Sequence, residues 1–99
     1  RRDLIVSLAK EIPGLEVNKP EGAFYLFPKC SSFFGKTDGQ RTINNSTDFA
    51  MYLLEVGHVA TVGGDAFGDP DCFRMSYATS DDNIKEVMSR IKNALSLLK

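Results

Sequence analysis

The sequence is poor in the residues that build metal sites and disulfide scaffolds, with two cysteines and one histidine among its 99 residues. Cys30 and Cys72 cannot form the multi-bridge framework of a small secreted domain; one bridge between them is geometrically possible but unsupported by the sequence, and two free, buried thiols in a cytoplasmic setting are the better reading. With His58 alone and no Cys-x-x-Cys pair, a zinc site lacks ligands, and no metal is expected. Neither sign of charge dominates: 12 Lys+Arg stand against 13 Asp+Glu, for a net charge of −1. That balance argues against a nucleic-acid partner, whose polyanionic backbone calls for a clustered basic excess. No apolar run approaches the ~18 residues of a membrane-spanning helix, and the first residues carry no apolar signal-peptide stretch, so no membrane partner is expected.

What is present is near the globular average, at 42% hydrophobic and 25% charged residues. A chain of this mass buries about 65% of its extended surface, enough for one two-layer core and no second domain. Residues 1–99 are therefore expected to form a single unit.

Helical periodicity opens the chain. Leu4, Ile5, Leu8, Ala9 and Ile12 fall on one face, and Pro13-Gly14 ends the helix. It begins at Arg1-Arg2 with no capping residue before it, as expected of a piece of a longer polypeptide. Ala23 to Phe27 is a short apolar, aromatic run, expected as a strand buried on both faces and stopped by Pro28. Residues 29–46 are polar and turn-rich, expected as a long loop with one short helical turn.

A second helix is expected to start at Ser46-Thr47-Asp48, with Phe49, Ala50, Leu53, Leu54 and Val56 as its apolar stripe and Gly57 as its terminating glycine. Val59 to Val62 reads as a strand, followed by a glycine-rich loop to Pro70. In Phe73-Arg74-Met75-Ser76-Tyr77-Ala78 apolar and polar residues alternate, which predicts a half-buried strand with two distinct faces. Ser80 caps a last helix, with Asp81 and Asp82 in its first turn and a stripe of Ile84, Val87, Met88, Ile91, Leu95 and Leu98. The order α-β-α-β-β-α predicts an α+β domain: a small mixed or antiparallel sheet of three to four strands with helices packed on one face.

Several short patterns have ordinary explanations. Ser7-x-x-Lys10 matches the nucleophile motif of acyl-enzymes, but its companion motifs are missing, and two solvent-facing helical residues account for it. Asn44 and Asn45 fit glycosylation sequons and equally serve as turn and cap residues. Glu21-Gly22-Ala23-Phe24-Tyr25-Leu26-Phe27 partly fits an RNA-stacking strand, yet Glu21 stands where a phosphate-binding cation is needed. His58 is expected in a loop without a ligand role.

Arg74 is the strongest functional candidate. It sits mid-strand among residues that want burial, on the face opposite Phe73 and Met75. An arginine is rarely buried without an anion, and its planar fork suits a carboxylate. Two readings stand open: a structural ion pair with one of the chain's own acids, or a bound ligand carboxylate.

Six segments then fall in one order: Arg1-Arg2-Asp3; Ile12-Pro13-Gly14; Pro20-x-Gly22-Ala23-Phe24-Tyr25-x-Phe27-Pro28; Val59-Ala60-x-Val62-x-Gly64; Ala66-Phe67-Gly68; and Arg74-x-Ser76-Tyr77-Ala78-x-Ser80. Together they resemble the C-terminal small domain of class I (fold type I) pyridoxal-phosphate-dependent aminotransferases, near the aspartate aminotransferase branch. The family pattern has proline where Gly63 stands, a departure expected to loosen that loop.

The resemblance implies that Arg74 binds the α-carboxylate of an amino-acid or 2-oxo-acid substrate and that Phe24 borders the substrate cleft. It further implies that pyridoxal 5'-phosphate, its lysine and its phosphate site belong to a large domain of the same chain, that the 99 residues alone are inactive, and that the full-length enzyme is a homodimer. No catalytic or cofactor-binding residue is expected within these 99 residues. The reading from a different class is a free-standing small-molecule-binding or protein-interaction module without catalysis.

Overall fold

The computed structural model describes residues 2–17, 25–76 and 79–99. Arg1, the 18–24 segment with Glu21 and Phe24, and Tyr77-Ala78 lie outside the described residues.

Helix α1 spans Arg2–Lys10, with Asp3 in its first turn and Lys10 in its last, both favourable to the helix dipole. Its Ile5 and Ala9 are buried, and Ile12 and Leu15 carry the burial past its end. Gly14 takes φ +93°, where a Cβ would press on the Phe33 ring at 2.7 Å. Ser7 and Lys10 are exposed on α1, as the ordinary reading of that pair expects.

Strand β1 is Tyr25–Leu26, β2 is Val62–Gly63 and β3 is Phe73–Ser76. They form an antiparallel sheet in the order β1-β3-β2, with Leu26 opposite Met75, Tyr25 opposite Ser76, and Val62 opposite Arg74. The expected burial of β1 on both faces is corrected: Leu26 is 0% exposed, but Tyr25 is 43% and Phe27 40% exposed. The helices cover one face of the sheet only, so every second residue of β1 is left outside. Strand β3 follows its expected alternation, with Phe73 and Met75 buried, Arg74 half-buried and Ser76 exposed.

The polar loop contains one 3₁₀ turn at Ser31–Phe33, which buries Phe33. Further on, Asp38 Oδ1 accepts from the Gln40 and Arg41 amides at 2.9 and 2.8 Å around Gly39, and these two bonds hold the Asp38 carboxyl below its ordinary pKa. Lys99 closes the chain onto Thr37 through two backbone hydrogen bonds.

Helix α2 spans Ser46–Glu55, and its cap is Asn45, one residue before the expected start: Asn45 Oδ1 accepts from the Asp48 amide at 2.8 Å. Ser46 is fully buried and its hydroxyl accepts from the Asp65 amide, so it is engaged elsewhere. Phe49, Tyr52 and Leu53 form the buried stripe, whereas Leu54 is 46% exposed. At about 100° per residue Leu54 lies about 140° around the helix from Phe49, outside the buried arc. The left-handed residue after α2 is His58, at φ +57°, and not Gly57. Glycine at 57 serves space instead: a Cβ would lie 2.9 Å from the Leu53 carbonyl and 3.5 Å from Ala94 Cβ of the facing helix. Val59 stays outside β2 because its amide donates to the Leu53 carbonyl at 3.0 Å.

Helix α3 spans Asp81–Ser96, with the Ser80 hydroxyl accepting from the Asn83 amide as its cap. Ile84, Met88, Ile91, Ala94 and Leu95 are buried along it. The Tyr52 hydroxyl donates to the Ala94 carbonyl at 2.6 Å in the core and ties α2 to α3. Tyr52→Phe removes this bond while the Ala94 carbonyl keeps the Leu97 amide at 3.3 Å, and it is expected to cost about 0.5–1.5 kcal/mol, read as a lower thermal midpoint with unchanged secondary structure.

Both cysteines are free thiols, Cys30 fully buried and Cys72 half-buried. Burial, then the neighbouring Cys72, pushes the Cys30 thiol up to about 12. Burial and a hydrogen bond to Asp69 raise Cys72 to about 11. The folded chain keeps these protons while the unfolded chain loses them, so their contribution is complete below about pH 8.5 and declines as pH rises. Unfolding free energies from denaturant titration at pH 9.5 should lie below those at pH 7.5, with a slope of up to about 1.4 kcal/mol per pH unit for Cys30, and Cys30→Ala should flatten the slope.

Candidate functional site

The uncovered sheet face is where Arg74 emerges. Tyr25, Phe27, Val62 and Phe67 surround it, each between 37% and 43% exposed. The Arg74 guanidinium carbon lies 4.9 Å from the Tyr25 ring centroid and 5.6 Å from that of Phe67, within cation–π range of both. Phe27 meets Phe67 edge-on, with centroids 5.6 Å apart and planes at 80°. Among the described residues no carboxylate reaches Arg74 within ion-pair distance.

The ring of Phe67 arrives on a 3₁₀ turn, Gly64–Phe67, inside the glycine-rich loop. The turn is tied down at its first residue. Gly64 donates to the Cys72 carbonyl at 2.8 Å and accepts from the Asp69 amide at 2.9 Å, and a Cβ on it would fall 1.7 Å from the Asp69 carbonyl oxygen. Next to it, the Asp65 carboxylate accepts from the Thr47 hydroxyl at 3.0 Å and the Thr47 amide at 3.3 Å, while its own amide donates to Ser46 Oγ at 3.1 Å. The carboxylate thus sits at the N-terminus of α2, where the helix dipole favours it.

Gly63, where the family pattern has proline, packs against the start of α2. Its φ of −65° is one that proline also adopts, and a Cβ there would approach the Ser46 carbonyl to 2.7 Å. Its backbone is therefore pressed against the start of α2.

Phe24, the other expected binding residue, lies outside the described residues. Tyr25 and Phe67 are the site residues that sequence reasoning passed over. For Tyr25 the alternation with buried Leu26 was a usable signal, whereas Phe67 lies in a run of exposed residues that carries none, and which rings meet Arg74 depends on strand register and on the path of the turn.

Described groups of His, Cys, Asp and Glu form no cluster able to hold a metal ion. Nor do the described lysines offer a cofactor seat. Lys29 lies 4.0 Å from the Glu16 carboxylate, Lys36 rests over the Phe33 ring, and Lys10, Lys85, Lys92 and Lys99 are exposed. No described helix is long and apolar enough to cross a membrane.

The family model "Aminotransferase class I and II" matches residues 1–91. The chain belongs to the class I and II aminotransferases. A bifunctional aspartate aminotransferase and glutamate/aspartate-prephenate aminotransferase of Petunia hybrida is 47% identical over 100 residues, covering 100% of this chain and 21% of the plant protein. Among solved aminotransferases, the crystal structure of the aspartate aminotransferase from Rhizobium meliloti superposes with a TM-score of 0.94 at 47% identity, over 99% of this chain and 25% of that one. An alanine aminotransferase from Pyrococcus furiosus follows the same path with a TM-score of 0.81 at 31% identity, over 96% of this chain and 23% of its own. The chain thus spans about a quarter of the length of the aminotransferases it matches.

Proposed function

We propose that this chain is the C-terminal small domain of an aminotransferase of the aspartate branch, and that Arg74 binds the α-carboxylate of the amino-acid or 2-oxo-acid substrate. The observation that carries the reading is the state of Arg74: a half-buried guanidinium on an uncovered face, held by rings, with no carboxylate partner among the described residues. A planar fork in that state presents parallel N–H donors that match a carboxylate. The structural ion pair, the competing reading, requires an acid that the described residues do not supply.

Membership of the family implies pyridoxal phosphate, which supplies the electron sink that amino-group transfer requires. The described residues of this segment do not fit that group, so its lysine and phosphate contacts are assigned to the remainder of the full-length enzyme. The large domain would then cover the open sheet face, and the full-length protein would pair as a homodimer. This segment contributes binding and orientation: anchoring the carboxylate fixes the substrate's Cα–H bond relative to the rest of the site.

Arg74→Lys in the full-length enzyme tests the reading. Lysine keeps the charge and loses the two-point fork, so one charge-assisted hydrogen bond worth ~1.5–3 kcal/mol is lost. Steady-state kinetics should show kcat/KM lower by roughly 10- to 150-fold for amino acid and 2-oxo acid alike. Unchanged kinetics would reject the carboxylate assignment.

A further inference from the structure

Resting on that carboxylate reading, we infer that Phe67 is a positioning residue for Arg74: its ring holds the guanidinium in place without consuming its hydrogen-bond donors. A carboxylate partner would occupy the fork and cancel its charge. Rings hold it differently. A ring face attracts the cation through its quadrupole and offers no oxygen to the in-plane N–H groups, so the donors stay open to an incoming anion.

Three features of the structure point to Phe67 as the fixed member of this contact. Its ring stands 5.6 Å from the guanidinium carbon, and Phe27 meets it in an edge-on contact. The turn that carries it is anchored through Asp65 to Ser46 and Thr47 at the start of α2, with Ser46 fully buried. Glycine at 64 lets the Asp69 carbonyl close behind the turn, where any Cβ would collide. The position of the Phe67 ring is thus set from the core, although the ring itself is 37% exposed. Tyr25, at 4.9 Å from the same carbon, supplies the second ring.

The test uses the full-length enzyme with Phe67→Leu, which keeps apolar bulk and removes the ring face, beside Phe67→Tyr, which keeps the ring. Phe67→Leu is expected to raise KM for both amino acid and 2-oxo acid by about 3- to 10-fold, with kcat within about 2-fold and Phe67→Tyr near the parent. In an Arg74→Lys background the same substitution should have a much smaller effect, because no fork remains to be oriented. Phe67→Met replaces Phe67→Leu if the latter does not fold. An unchanged KM in the ringless variant, an equal fold-change in the Arg74→Lys background, or a Phe67→Tyr variant as impaired as Phe67→Leu would overturn the inference. If Arg74→Lys itself leaves KM and kcat unaltered, the carboxylate reading fails and the positioning role fails with it. If Arg74→Lys is impaired and Phe67→Leu is not, only the positioning role is rejected.

Discussion

Arg74→Ala in the full-length enzyme is expected to lower kcat/KM by roughly 150- to 5,000-fold, more than the lysine variant. The substrate carboxylate would enter a site lined by Tyr25, Phe27 and Phe67 with its counter-charge gone. Leaving one charge desolvated and unpaired costs about 3–5 kcal/mol, which is the stated factor in rate. On the proposed role both KM and kcat should suffer, since anchoring the carboxylate would also set the substrate's approach. Stability should change little. Arg74 has no ion pair among the described residues, and its ring contacts at a partly exposed position are worth about 0.5–1 kcal/mol. Kinetics and thermal melts on the same preparation separate the outcomes. Near-normal kcat/KM together with a large fall in melting temperature would make Arg74 a structural residue.

Phe49→Ala should produce the largest loss of stability. Phe49 is fully buried on α2, with the Phe33 ring 5.7 Å away on one side and the Phe73 ring 4.8 Å away on the other. Those contacts join the long polar loop, α2 and β3 at one point in the core. Truncation removes the transfer energy of the ring and leaves a cavity that three separate elements cannot easily collapse into, at a cost of about 3–5 kcal/mol. Domains of this size have about 5–15 kcal/mol in total, and each kcal/mol shifts the midpoint by about 4–8 °C. The 99-residue domain should therefore melt at least about 12 °C lower. Because Phe73 directly precedes Arg74, the full-length variant should also lose substrate affinity at temperatures where it remains folded. A loss below about 1 kcal/mol would show that the ring stack is not central to the core.

Local signals decided much of this protein. The apolar stripes of α1 and α3, the Ser80 cap with Asp81 and Asp82 behind it, and the alternation of Phe73, Arg74, Met75 and Ser76 are properties of neighbours in the chain. They follow from a periodicity of 3.6 or 2 and from side chains reaching their own backbone, so they are legible without a partner. The likeness to the aminotransferases was legible in the same way, through motifs whose order survives without coordinates, and the family match over residues 1–91 agrees with it. The α+β order and helices on one side of the sheet followed from these signals.

What depended on a partner distant in sequence was settled only by packing. Asn45 caps α2 because Ser46 is drawn into the core to meet Asp65, a residue 19 positions away. The left-handed turn after α2 falls on His58 and not on Gly57, where a Cβ would instead lie 2.9 Å from the Leu53 carbonyl. Tyr25 and Phe27 are exposed because helices cover a single face, which an aromatic run cannot reveal about itself. The aromatic setting of Arg74 is the furthest from the sequence. It requires the register of β1 on β3 and the closure of the Gly64–Phe67 turn onto α2, and each of these is a choice among conformations nearly equal locally that tertiary contacts separate.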